Sequence, residues 1–259
     1  MIELIRAKIE GVIATIILNN PEKLNALPLR SWKKLGETIF LLSQNQVLRC
    51  IVLRGAGNKA FAAGADISEF KEKRSNSKQA IAYGKQVAVT LDQLIMCPIP
   101  IVAMISGVCT GGGLEIACCC DIRISSQSGR FGVPIKNIGH AFAPSEMQPV
   151  LSLLGPGIIL ELLLEGQIWD AEQALKRGLV NRIVAEEKLE AEVYATANRI
   201  ADGSPLAARM TKRVLRMLVA GKPFTQKELE ESYKPCDSLD YQEGLRAFLA
   251  KEKPVFKGS

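Results

Sequence analysis

Ile99-Pro-Ile-Val-Ala-Met-Ile-Ser-Gly-Val-Cys-Thr-Gly-Gly-Gly-Leu-Glu-Ile-Ala-Cys-Cys-Cys-Asp121 is the stretch whose reading decides the fold. It predicts an apolar β-rich run ending in a glycine triplet, then a short apolar helix with Glu115 just inside its first turn. Leu114, Ile116, Ala117 and Cys118 to Cys120 surround that carboxylate, and a carboxylate is rarely fully buried unless it is paired or put to use. Glycines at 111 to 113 let a ligand approach the backbone, where the free N–H groups and positive end of the new helix face it. The pairing points to a site that stabilises negative charge beside a proton-transferring carboxylate. The plain alternative is a glycine-rich turn with a capping glutamate.

Outward from that stretch, strands and helices alternate. Val12 to Leu18 reads as a buried strand that leaves its sheet at Asn19-Asn20-Pro21,. Pro28 opens a helix to about residue 44, with Leu29, Trp32, Leu35, Ile39 and Leu42 at helical spacing,. Cys50 to Leu53 is the next strand, and the order strand, helix, strand implies a right-handed crossover and a parallel sheet. Ala60 to Phe70 then gathers small residues around Gly64, with Asp66 or Ser68 placed to cap a helix,. This is a second place for exposed backbone N–H groups. Lys71 to Lys78 reads as a charged surface segment, and Ala80 to Met96 as a helix that Pro98 and Pro100 stop,.

After the central stretch, Ile122 to Ser125 is a short strand followed by a loop to His140. Pro149 to Leu154 and Ile158 to Leu164 are helical, broken at Gly155-Pro156-Gly157. Asp170 caps a helix over Ala171 to Arg177, and Leu179 to Val184 is a strand. From about residue 187 onward the pattern is helical, interrupted at Gly203-Ser204-Pro205 and Gly221-Lys222-Pro223. The division expected is a β/α core over residues 1–200 and a helical region over 201–259.

Composition narrows the function. With 259 residues, 47% hydrophobic and 23% charged, the chain has the make-up of a soluble globular protein,. Lys and Arg exceed Asp and Glu by 33 to 27, a net charge of +6 that favours an anionic ligand,. The charges are scattered, which ranks nucleic acid well below a small anionic substrate. Seven cysteines, mostly in apolar runs, read as reduced thiols of a cytoplasmic protein,. With a single histidine and no second Cys/His cluster, no metal site is expected. The N-terminus has no signal-peptide pattern and no run approaches 18 apolar residues, so no membrane contact is expected.

Six pieces in order together resemble the enoyl-CoA hydratase/isomerase family, also called the crotonase superfamily. They are Asn20 to Leu27, Phe61 to Ile67, Gly111 to Ala117, Asp121-Ile122-Arg123 with Phe131 to Pro134, Gly166 to Val184, and Glu243 to Phe248. The resemblance implies an α/β fold built as a spiral of β-β-α units forming two roughly perpendicular sheets. It also implies a C-terminal helical region that builds homotrimers, often paired into hexamers. The expected substrate is an acyl-CoA thioester, with coenzyme A arriving as part of the substrate and no cofactor of the protein's own.

By resemblance, the N–H groups of Ala65 and Gly112 form an oxyanion hole for the thioester carbonyl. Glu115 acts as general acid or base. Lys23, Leu24, Ala63, Asp66 and Ile67 line the coenzyme A crevice, and Phe256 and Lys257 reach the nucleotide end from a neighbouring subunit. Two fixed N–H donors stabilise the enolate formed when the α-carbon loses a proton, and losing one such donor costs about 3 to 4 kcal/mol of barrier.

One expected group is missing. Hydratases of this family pair two glutamates, and the second position, after the proline of the Phe-Gly-x-Pro loop, is Ile135 here. Water addition needs a base for the water and an acid for the α-carbon. His140 and Glu146 are close enough in sequence to compensate, although Glu146 also reads as a solvated or capping residue and His140 as structural or substrate-lining. Ile67, Ile135 and Phe142 predict an apolar acyl pocket. Enoyl-CoA hydratase-like chemistry is therefore the leading expectation. Double-bond isomerisation or another reaction of the family (dehydratase, hydrolase, decarboxylase) stands beside it, and a CoA-binding or RNA-binding protein without hydratase activity is the reading from another class.

Overall fold

The computed structural model describes residues 3–259. The described residues form ten strands and ten α-helices. The strands are β1 (Ile5–Glu10), β2 (Ile13–Leu18), β3 (Cys50–Gly55), β4 (Ala60–Ala62), β5 (Ile101–Ile105), β6 (Val108–Thr110), β7 (Ile122–Ser126), β8 (Arg130–Gly132), β9 (Trp169–Asp170) and β10 (Arg182–Val184). The helices are α1 (Leu29–Ser43), α2 (Phe70–Lys73), α3 (Ser77–Met96), α4 (Gly112–Cys119), α5 (Pro144–Glu165), α6 (Ala171–Lys176), α7 (Leu189–Ala201), α8 (Pro205–Val219), α9 (Gln226–Tyr233) and α10 (Leu239–Ala250).

The strands divide between two sheets, ordered β1-β2-β3-β5-β7-β10 and β4-β6-β8-β9. Within this order lies the spiral of β-β-α units. In each of three successive turns the first strand (β3, β5, β7) joins the six-stranded sheet and the second (β4, β6, β8) joins the four-stranded one, before a helix closes the turn. Every strand of the spiral is parallel to its predecessor, with Leu53 opposite Ala103 and Ala103 opposite Arg123. The crossover from β2 through α1 to β3 is also parallel, as its strand-helix-strand order requires,.

Continuous apolar runs follow from that geometry, because a parallel sheet is covered on both faces. Alternate residues of β3 separate accordingly. Ile51 and Leu53 join the large core with α1 and α3, while Cys50 and Val52 pack with Leu189, Val193 and Ala197 of α7. All seven cysteines are unbridged thiols. Burial pushes the Cys118 thiol up to about 12, so it stays protonated as a small apolar side chain,.

Three expectations need correction. Strand β1, which pairs antiparallel with β2 around Gly11, was not among the predicted strands, because its charged, exposed face hides the alternation. The strand placed at Leu179 to Val184 is confined to Arg182–Val184, since Leu179 and Val180 are core residues ahead of it. One helix, α5, is long and apolar enough to cross a membrane by length and composition, against the expectation of no such run. Its backbone breaks at Gly155 (φ 75°), and Val150, Leu154, Ile159 and Leu162 pack into the core.

Helix α8 is fastened to the core by cations reaching backbone carbonyls. Arg216 donates to Ile95 and Cys97, and Lys212 donates to Ile99 while pairing with Asp121 at 2.6 Å. The tail is held by buried Asp240, which accepts from the N–H groups of Lys257 and Gly258.

Candidate active site

Two loops meet at the C-terminal ends of β4 and β6, neighbouring parallel strands of the four-stranded sheet, where the chain leaves each for a helix. A Cβ placed on Gly64 (φ 98°) would lie 2.9 Å from the backbone nitrogen of Gly112, so only glycine permits this approach,. Leu27 donates to the Gly64 carbonyl at 2.8 Å and accepts from Asp66 N–H at 3.0 Å. This clasp uses the groups on either side of Ala65 and leaves the Ala65 N–H out. Gly112 opens α4, where a first-turn N–H has no intrahelical acceptor,. Among the described residues, neither the Ala65 nor the Gly112 N–H donates to a protein acceptor.

Both residues line a cavity of about 280 Å³. Of the sequence-predicted residues, Ala63, Ala65, Ile67, Gly112, Glu115 and Ile135 come together on its wall, joined by His140, Phe142 and Glu146. Glu115 is 5% exposed and its carboxylate has no hydrogen-bond partner among the described residues. Burial pushes its carboxyl well above the ordinary glutamate value, the Glu146 charge adds to that push, and Arg74 works against it,. A carboxyl shifted upward in this way is suited to both give and take a proton.

The crevice residues divide. Lys23 pairs with Asp66 at 2.7 Å in a neighbouring cleft that Arg30 and Lys73 also line. Burial raises the Asp66 carboxyl, but hydrogen bonds from Lys23 and Ser68 outweigh it and hold the group below the usual carboxylate value. Asp66 also caps the short turn Ile67–Glu69, as its position in the sequence predicts. Leu24 faces a separate cleft, although its carbonyl accepts from Ala63 N–H. Phe256 and Lys257 lie on the tail, away from the cavity, with Arg49 bonded to the Phe256 carbonyl.

Sequence reasoning missed Arg74, which it had placed in a charged surface segment. Its side chain is only 11% exposed and lines the cavity. The guanidinium lies over the Phe70 ring at 5.0 Å and the Tyr83 ring at 5.2 Å, donates to His140 Nε2, and stands 3.8 Å from Glu146. The available signal was the spacing Phe70 to Arg74, four residues that set ring and cation on one helical face. Glu146 is buried rather than solvated, and it does cap, accepting from Ala143 N–H at 3.1 Å. His140 lines the cavity. Burial lowers its pKa, Arg74 lowers it further and Glu146 opposes; because a guanidinium only donates, Nε2 is the acceptor of their contact,.

Comparison with known proteins adds a lineage to this geometry. The profile of the family described as enoyl-CoA hydratase/isomerase matches residues 8–259. The chain is 32% identical to a short-chain-enoyl-CoA hydratase of Clostridium acetobutylicum over 94% of each chain. It is 29% identical to a crotonyl-CoA hydratase of Syntrophomonas wolfei over 95% of each. Among solved structures, an enoyl-CoA hydratase/carnithine racemase from Magnetospirillum magneticum superposes with a TM-score of 0.98 at 47% identity, covering 100% of this chain and 97% of that one.

Proposed function

The chain belongs to the enoyl-CoA hydratase/isomerase family, and on that premise we propose that it is a hydratase-like acyl-CoA enzyme working through a thioester enolate. The observation that carries the reading is the pair of unengaged N–H groups, Ala65 and Gly112, on the wall that also holds the buried carboxyl of Glu115. The thioester oxygen binds between the two amides, which need no reorganisation as negative charge grows on it. Glu115 moves the proton at the α-carbon. Coenzyme A enters as part of the substrate, its anionic end favoured by Lys23, Arg30 and Lys73 at the adjoining cleft,. No cofactor of the protein's own is needed for these steps.

In hydration the one glutamate serves twice, first for the water and then for the α-carbon, because Ile135 transfers no proton. A second reading, double-bond isomerisation, is favoured by that same Ile135. A single carboxyl shuttling a proton between C2 and C4 completes an isomerisation without an activated water.

We further place the protein in the cytoplasm and assemble it as a trimer or a dimer of trimers through residues 201–259. Exposed Leu215, Leu218 and Val219 of α8 and Phe248 and Leu249 of α10 support an interface there,. Mass spectrometry on a panel of acyl-CoA thioesters in deuterium oxide tests the function. Gain of water marks hydration, deuterium at the α-carbon with a moved double bond marks isomerisation, and no change in any ester rejects both.

A further inference from the structure

Arg74 holds more hydrogen-bonding capacity than its surroundings use. A guanidinium carries five N–H donors and no acceptor, and here one Nη2 donor goes to His140. Glu146 does not take the rest. At 3.8 Å it lies beyond hydrogen-bond reach, and its Oε2 already accepts from Ala143. The Arg74 Nε has no protein partner although it is fully buried, and Nη1 makes no hydrogen bond.

On the same wall Trp32 Nε1 and Tyr83 Oη turn to each other, so the donors without a partner there are the guanidinium's. A guanidinium can only donate. The remaining wall is apolar, with Ile67, Val87, Ile135, Ile138 and Phe142. An alkyl chain filling such a space would cover a cation and strip its water while offering nothing in return, which is strongly unfavourable.

We propose that the acyl group selected by this cavity carries an oxygen acceptor, a hydroxyl, carbonyl or carboxylate, beyond the reacting carbons, and that Arg74 binds it. The inference rests on the acyl-CoA reading above. The guanidinium, held flat by its stacking on Phe70 and Tyr83, offers that oxygen Nη1, the unpaired donor nitrogen that is not itself enclosed,. Sites built to hydrogen-bond a substrate reject analogues lacking the group far more strongly than apolar pockets reject an extra methylene.

Calorimetric titration of the full chain with pentanoyl-CoA, 5-hydroxypentanoyl-CoA and glutaryl-CoA tests this, because these saturated esters share a five-carbon chain and have no double bond to hydrate. At least one oxygenated ester is expected to bind about 10- to 100-fold more tightly than pentanoyl-CoA. A gain for glutaryl-CoA alone assigns a carboxylate, and a gain for the hydroxy ester as well assigns any oxygen acceptor. In Arg74→Met the ratio is expected to fall to about one. Tyr83→Phe, which leaves the ring in place, is expected to reduce it less. Equal affinities in the native chain would overturn the inference while leaving the acyl-CoA reading intact, and a ratio unchanged in a folded Arg74→Met protein would remove Arg74 from it. Failure of all three esters to bind would reject the acyl-CoA reading itself.

Discussion

A Cβ on Gly112 would stand 2.5 Å from Cζ2 of the fully buried Trp32 ring and 3.6 Å from the backbone nitrogen of Ala65. The indole is thus pressed against the start of α4 and fixes where the Gly112 N–H sits relative to Ala65. Gly112→Ala must displace either the ring or the helix end. Overpacking of this kind costs about 1 to 3 kcal/mol of stability, and a misplaced donor lowers kcat by about 100-fold or more. Thermal unfolding and steady-state kinetics on the same preparation check both, and unaltered kcat would detach the amide from the chemistry.

Glu115→Gln is expected to abolish α-proton exchange while leaving the affinity for a saturated CoA ester nearly unchanged. The stability profile should change too. A carboxyl whose folded pKa is raised binds its proton more tightly in the folded state, so stability is fully present below the unfolded value of 4.5 and is lost as pH rises toward the folded one,. The glutamine variant removes that decline and is expected to be the more stable protein at alkaline pH. Urea midpoints measured across pH for both proteins would show the two curves diverging upward from about pH 4.5.

Ile135→Glu places a carboxyl on the wall that Glu115 already occupies. If hydration is limited by the missing second group, crotonyl-CoA turnover is expected to rise by about 100-fold. The absorbance of the conjugated thioester follows it directly. No gain, with the variant folded, would favour isomerisation as the native reaction.

His140 offers a prediction of opposite sign to Glu115. Its pKa is lowered by burial and then by the Arg74 charge, so its contribution to stability is present above the unfolded value of 6.5 and is lost as pH falls through the folded one,. Protonation also ends acceptance from Arg74 at Nε2. Proton NMR of the single imidazole should show titration below the usual range, and Arg74→Met should move the midpoint back up. A midpoint indifferent to Arg74 would contradict the contact.

The local grammar of the chain was enough to find the glycine-rich loops, Glu115 amid apolar neighbours, the Asp66 and Asp170 caps and the β-α order. These signals act over a few residues, through backbone freedom, side-chain spacing and hydrogen bonds to the next turn. What the residues by themselves determined is therefore a parallel β/α architecture with two backbone-exposing loops and one displaced carboxylate. Folding alone decided that the Ala65 and Gly112 amides share a cavity, because that depends on Leu27 clasping one loop and Trp32 bracing the other across long separations in sequence. The same holds for Arg74: its spacing from Phe70 allows a stack, but only packing against Phe70, Tyr83 and Glu146 makes it a buried cation.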